Sequence, residues 1–249
     1  MLKICEVHSG LSSMLVDQSK YDGMWISSLT HSAINGLPDN ELVPLKERAE
    51  LVQQVSNISN KPIIVDIDTG ESIEHLPFTI KWFSKAGAYA VIMEDKKYPK
   101  QNSLIEGAAQ HLEDVDVFCD KIRASKAVCG DMKVFARLES LIAKKSPYEA
   151  ILRATAYIEA GADGVMVHSK QKVDSTEVIE VGNELRKKYP DLTLIAVPTT
   201  YRLPKKHPFD ILIDANHMLR ASLCAMKKWV DKKDVELSSV QEIFDIVGH

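Results

Sequence analysis

Short apolar runs recur along the chain at intervals of about 25 to 35 residues, with amphipathic stretches between them, which is the pattern of βα units around a parallel sheet. The runs are "LKICEVH", "DGMWIS", "KPIIVDID", "YAVIMED", "KVFARLE", "DGVMVHS", "LTLIAVP" and "FDILIDA". Several are near-continuous in Val, Ile, Leu and Met, as strands covered on both faces are. The segments "KERAELVQQVSNISN", "HLPFTIKWFSKAG" and "PYEAILRATAYIEAG" predict helices, the last two closing on a glycine suited to a helix C-terminus. Trp82 and Phe83 fall within the second of these and are expected in the core. About eight such units in 249 residues predict an α/β fold, a (β/α)8 barrel in a single domain over 1–249.

The apolar runs end in the same way: polar groups appear just where each finishes. Glu6 and His8 end the first, Trp25, Ser27 and Ser28 the second, Asp66 and Asp68 the third, Glu94 and Asp95 the fourth. Arg137 and Glu139 end the fifth, His168 and Ser169 the sixth; Thr199 and Thr200 follow the seventh, Asn216 and His217 the eighth. In a parallel barrel these ends converge on the face that carries active sites.

Asp66 and Asp68 are two apart on a strand end and so point to one side of the sheet. Alone they read equally well as turn or cap residues, but with Glu94 and Glu139 nearby they predict a hard divalent cation held by oxygen, and Mg2+ suits. Arg137 in "VFARLES" reads as a structural salt bridge in isolation and, at such a face, as a fork for a carboxylate or phosphate. His168, a core residue if alone, is expected to contact ligand. The polar loop that follows "VIMED" carries three lysines, Pro99, Asn102 and Ser103.

Composition narrows the partners. A formal net charge of −4 argues against a general nucleic-acid binder and leaves an anionic small molecule open, because local cations or a metal reverse the field inside a pocket. Four scattered cysteines, read as small apolar fillers, and the absence of a secretory leader in "MLKICEVHSG" predict a reduced, cytoplasmic protein. No apolar run reaches the roughly 20 residues of a membrane span.

The stretches "EVHSGLSSMLV", "DGMWISSL", "KPIIVDIDTG", "VIMEDKKYPKQNSL", "FARLESLIA", "RATAYIEAGADGVMVHSK", "VPTTY" and "ANHMLRA", in order over nearly the whole chain, resemble the phosphoenolpyruvate mutase branch of the isocitrate lyase superfamily. The resemblance implies a Mg2+-dependent isomerase of phosphonate biosynthesis that interconverts phosphoenolpyruvate and phosphonopyruvate. By the same resemblance Asp66 binds Mg2+ directly and Asp68, Glu94 and Glu139 hold its waters. Arg137 bridges the pyruvyl carboxylate and the phosphoryl group, with His168 beside it. Trp25, Ser27 and the backbone of Ser28 and Leu29 hold the enolate, Asp39 is an active-site aspartate, and Lys100, Asn102 and Ser103 lie on a gating loop over about 95–110. The C-terminal segment 216–249 contains a helix, Asn216 to Val230, expected to be exchanged between neighbouring barrels of a homodimer or homotetramer. Coupling to a phosphonopyruvate-consuming decarboxylase is implied as well.

The chain departs from the family pattern at Ser28, where a glycine is usual, at Ser9, where Asn or Asp is common, and in "DTGES", which lacks a second glycine. Phosphonopyruvate hydrolase is the nearest alternative, and Asn102 favours the mutase. A carbon–carbon lyase of the isocitrate type would need a cysteine where this loop reads Lys96, Lys97, Tyr98, Pro99, Lys100. A non-catalytic metabolite-binding barrel is the remaining reading, and the full set of acidic strand ends speaks against it.

Overall fold

A computed structural model describes residues 1–171 and 173–248. Its eight strands close into a barrel in chain order, every neighbouring pair parallel: β1 (Leu2–Glu6), β2 (Gly23–Ile26), β3 (Ile63–Asp66), β4 (Ala90–Glu94), β5 (Lys133–Leu138), β6 (Gly164–Val167), β7 (Thr193–Ala196) and β8 (Ile211–Asp214). Each expected strand is present, trimmed by a residue or more at its ends. Around it run α1 (Gly10–Asp17), α2 (Ser28–Ile34), α3 (Leu45–Ser56), α4 (Leu76–Ala86), α5 (Val115–Lys126), α6 (Pro147–Glu159) and α7 (Thr176–Lys188), followed by α8 (His217–Val230) and α9 (Val240–Val247).

The strand pleat divides the core in two. One side of the sheet fills the barrel with Ile4, Trp25, Ile64, Ala90, Ile92, Phe135, Met166, Ile195 and Ile213. The other side packs Val65, Val91, Val134 and Val165 against Val52, Phe83, Phe118 and Tyr157 of the helices. Because successive side chains alternate, the inward phase passes from Ile64 to Asp66, from Ile92 to Glu94, from Phe135 to Arg137 and from Met166 to His168. Strand pairing then sets Glu94 opposite Arg137, and Arg137 opposite Met166. Gly164 allows β6 and β7 this approach, since a Cβ there would stand 2.6 Å from the Thr193 carbonyl oxygen.

The helices stop where their ends dictate. α4 ends at Gly87 with a left-handed φ of 94°, and Ser146 caps α6 by accepting from the Glu149 N–H at 3.2 Å. Ser9 caps α1 and forms a reciprocal capping box with Ser12, so the serine does the work of an Asn or Asp there. Glu71 adopts a φ of 59° after Gly70, taking without glycine the conformation that "DTGES" needs.

One expectation changes. Phe83 is fully buried, but Trp82, about 100° away around α4, is 44% exposed and lies outside the core. Glu6, two residues past the inward Ile4, stays at the C-terminal end of the barrel: it accepts from the Leu219 N–H in the first turn of α8 at 3.0 Å and lies 2.6 Å from His8 Nδ1. α8 covers the segment expected for exchange. It has no buried residue and exposes Leu223, Met226, Trp229 and Val230. His249, the last residue of the C-terminal segment 216–249, lies outside the described residues. Among the described residues no helix is long and apolar enough to cross a membrane.

Candidate active site

Eleven of the residues assigned to the site from the sequence converge at the C-terminal mouth of the barrel. A cavity of about 50 Å³ is lined there by Trp25, Asp39, Asp66, Asn102, Arg137 and His168, with Ser27, Ser28, Leu29, Lys100 and Ser103 also in its wall. Ser27 caps α2, and Ser28 and Leu29 begin it, so their N–H groups have no partner within the helix.

Asp66 closes β3. Its Oδ2 accepts from the Ser28 hydroxyl at 2.9 Å, and its Oδ1 from the Asp68 N–H at 3.1 Å. Asp68, with a left-handed φ of 55°, sits between Arg48 Nη1 at 2.7 Å and Lys100 Nζ at 2.6 Å. Burial alone would raise the Asp68 carboxyl, but these two cations override it and hold the group well below the ordinary carboxylate range. Glu94 differs. It is wholly buried, and neither of its oxygens accepts a hydrogen bond from the described residues; Arg137 Nη2 at 3.3 Å and Lys100 Nζ at 3.7 Å supply charge only. Burial therefore wins, and its pKa is pushed up to about 7.

Arg137 is gripped by Glu139, with Nε to Oε1 at 2.6 Å, and reaches Asp66 at 3.5 Å. His168 Nδ1 lies 2.6 Å from the same Glu139 oxygen and 2.9 Å from Arg137 Nη2. Burial and the neighbouring guanidinium push the His168 pKa down, so the ring is neutral; facing a carboxylate, its Nδ1 carries the proton and donates. Glu139 is held well below its usual range, because Arg137, His168 and Lys96 outweigh its burial.

The loop between β4 and α5 closes the mouth from above. The Lys100 ammonium lies 2.9 Å from Ser28 Oγ and 3.3 Å from Asp39 Oδ1. Asn102 Nδ2 donates to Asp39 Oδ2 at 2.6 Å, and the Ser103 hydroxyl donates to Glu139 Oε2 at 2.6 Å. Lys96 Nζ ties the loop down through the Gln101 carbonyl at 2.9 Å and Ser103 Oγ at 2.6 Å. A second, roomier cavity of about 650 Å³ lies on the other side of Asp68, bordered by Glu41, Tyr98 and Lys121.

Whether a cation suits these residues turns on Glu94 and Asp66. Two carboxylate oxygens buried without donors favour an added positive charge. Yet no group of three His, Cys, Asp or Glu among the described residues is arranged as a direct ligand shell. This donor set fits a hydrated Mg2+, which takes one or two carboxylates directly and keeps waters.

The phosphoenolpyruvate phosphomutase family model matches residues 1–232. The chain belongs to the phosphoenolpyruvate phosphomutase family. It is 32% identical to a phosphonopyruvate hydrolase of Variovorax sp. (strain Pal2), over 97% of this chain and 88% of that protein. A phosphoenolpyruvate phosphomutase structure from Streptomyces platensis subsp. rosaceus superposes with a TM-score of 0.90 at 30% identity, covering 100% of this chain and 91% of the other. A phosphonopyruvate hydrolase in complex with oxalate and Mg2+ gives 0.85 at 30% identity, covering 100% and 90%. Family members thus include mutase and hydrolase at similar distances from this chain.

Sequence reading assigned no role to Arg48 and Lys96, and missed the hydroxyl contacts of Ser28. Arg48 is wholly buried and donates to the Asp66 carbonyl at 2.6 Å as well as to Asp68. It had a visible signal: with Leu45, Ala49, Val52 and Val55 it lies on the apolar stripe of α3. Lys96 stood within the loop stretch that carries the resemblance but was given no role, and Ser28 was expected to act through its backbone alone.

Proposed function

We propose that this chain is a Mg2+-dependent phosphoenolpyruvate mutase, an isomerase that moves a phosphoryl group between the enolate oxygen of phosphoenolpyruvate and C3 of 3-phosphonopyruvate. The observation that carries this reading is the closed loop, which sets a neutral amide, Asn102 on Asp39, over the cavity that Arg137 and His168 line. In the forward direction the P–O bond breaks, the enolate keeps that electron pair, and the C–P bond forms from the enolate carbon; no water enters the balance. The transferring group is loose and metaphosphate-like, so it needs positioning and positive charge more than covalent help. Arg137 and Lys100 supply charge. Asn102 retains the group without offering a base that could activate water, and the closed loop excludes solvent.

Mg2+ would be held by Asp66, with Asp68, Glu94 and Glu139 on its waters, and when bound it supplies charge stabilisation to the enolate oxygen. The N–H groups of Ser28 and Leu29, free at the start of α2 and beside Trp25 and Ser27, would donate to that same oxygen. His168, neutral and donating to Glu139, steadies the carboxylate that grips Arg137. A cavity of about 50 Å³ is too small for a three-carbon phosphorylated acid, so the loop opens to admit it.

Hydrolysis to pyruvate and phosphate is the second reading, favoured by the 32% identity with the Variovorax protein. Phosphorus NMR of purified protein with Mg2+ and phosphonopyruvate decides between them. Phosphoenolpyruvate is the expected product; free phosphate with pyruvate establishes the hydrolase, and unchanged phosphonopyruvate removes both readings. We also assign the uncovered α8 to exchange with a neighbouring barrel in a homodimer or homotetramer, for which light scattering of a monomer would be the contrary result. A phosphonopyruvate-consuming decarboxylase would then draw the reaction towards C–P bond formation.

A further inference from the structure

The closed loop is held by more than the groups that face the cavity. Glu41, between α2 and α3, is half-buried and has a left-handed φ of 65°. Its Oε1 accepts from the Thr69 N–H at 3.0 Å and the Thr69 hydroxyl at 2.6 Å. Its Oε2 accepts from the Lys100 N–H at 2.8 Å. One carboxylate therefore spans two parts of the molecule that differ in their freedom. Thr69 follows Asp68 in the turn after β3, and its carbonyl is held in turn by Lys121 Nζ at 2.9 Å. Lys100 belongs to the loop that must open.

The geometry points to Glu41 as the catch of this loop, a positioning residue that holds the Lys100 backbone in the closed register and so directs the phosphoryl group to internal transfer rather than to water. Two of its three bonds are to the fixed turn, so the carboxylate stays in place when the loop leaves and presents one unshared acceptor on its return. A charge-assisted bond of this kind is stronger than one between neutral groups. Its reach is complementary to that of Asp39, two residues earlier in the same segment: Asp39 takes the Asn102 side chain, and Glu41 takes the backbone two residues before it. Side chains on the loop can therefore vary without losing the second contact. Strain at Glu41 fits a residue fixed for placement, since a left-handed φ is uncommon outside glycine and is tolerated where the surroundings over-determine it.

The inference rests on the closed-loop reading of the proposed function, and the test separates the two. Glu41→Gln is the informative variant. Its single acceptor oxygen satisfies Thr69, which leaves its NH2 group facing the Lys100 N–H, donor against donor. The Thr69 anchor survives and the catch is lost. With Mg2+ and oxalate present, tryptic cleavage after Lys97 and Lys100 is expected to run roughly tenfold faster in Glu41→Gln than in the unsubstituted protein, and as fast as in Glu41→Ala. The urea midpoint of Glu41→Gln should be unchanged. In the phosphonopyruvate assay its share of free phosphate should rise and its kcat fall, with KM altered less.

Unsubstituted protection from trypsin in Glu41→Gln overturns the catch, whatever the products. Faster cleavage together with phosphate as the sole product of the unsubstituted protein supports the catch and removes the mutase reading. A urea midpoint lowered in step with the cleavage rate assigns Glu41 to general stability and also overturns the proposal.

Discussion

The strand-end platform and the loop above it both supply charge to one small cavity, but they are built by opposite means. Asp66, Glu94 and Arg137 are placed by parallel strand pairing, with Ile64, Ile92 and Phe135 beneath them in the barrel. Lys100, Asn102 and Ser103 belong to no regular element and are placed by bonds to Ser28, Asp39 and Glu139. The platform cannot shift without the barrel; the loop is held through side-chain hydrogen bonds and the buried ion pairs of Lys100 with Asp39 and Asp68. Chemistry that must develop charge in a fixed field, yet admit and then seal in its substrate, needs both kinds of placement.

The sharpest way to break the contrast is Asp66→Ala, which should lower kcat/KM roughly 10³-fold, or about 4 kcal/mol, while far-ultraviolet circular dichroism stays unchanged. A full rate would remove the metal assignment. Next comes Arg48→Met, which takes a buried cation from Asp68 and a donor from the Asp66 carbonyl. Unfolding free energy should fall by about 3 kcal/mol, seen as a lower urea midpoint at constant slope. A negligible change would mean that Lys100 alone satisfies Asp68, making the platform depend on the loop.

Asn102→Ala should reverse that profile, with kcat down roughly 10²-fold, more free phosphate, and a stability change within about 0.5 kcal/mol. Equal destabilisation by the platform and loop variants would erase the distinction. The smallest effect concerns His31, on α2 behind the platform, whose pKa is pushed down to about 4 by burial and then by Arg48. A histidine neutral in the fold and titrating near 6.5 when unfolded contributes stability that is complete above pH 6.5 and lost as pH falls towards 4. The expected loss is about 2 kcal/mol between pH 7.5 and pH 5. Urea melts of His31→Gln should show that decline reduced.

The platform was legible in the sequence because it obeys a period: a side chain two residues past an inward apolar one points inward too, so "IIVDID" and "VFARLE" announce Asp66, Arg137 and Glu139. The loop's grip was not legible. Lys100 and Ser28 are 72 residues apart and Ser103 and Glu139 are 36 apart, and no local pattern links such partners. The resemblance to a family suggested which loop residues matter, but not that the Ser28 hydroxyl joins Asp66 to Lys100. Trp82 misled because adjacent aromatic residues on a helix point about 100° apart, so only one of them shares the buried face. Arg48 was overlooked for the opposite reason: its place on an apolar stripe was visible, and its charge made it look like surface.

The neck of the loop has one further consequence. Lys96 pairs antiparallel with Leu112, the Lys97 N–H reaches the His111 carbonyl at 2.9 Å, and the Glu113 N–H reaches the Asp95 carbonyl at 2.9 Å. Everything between these closures enters and leaves the barrel at nearly one point, so its length and lettering can change without disturbing strand register. Residues 97–111 are in that sense a transplantable unit, and related barrels that treat the same phosphoryl group differently could diverge by exchanging it while keeping the floor beneath.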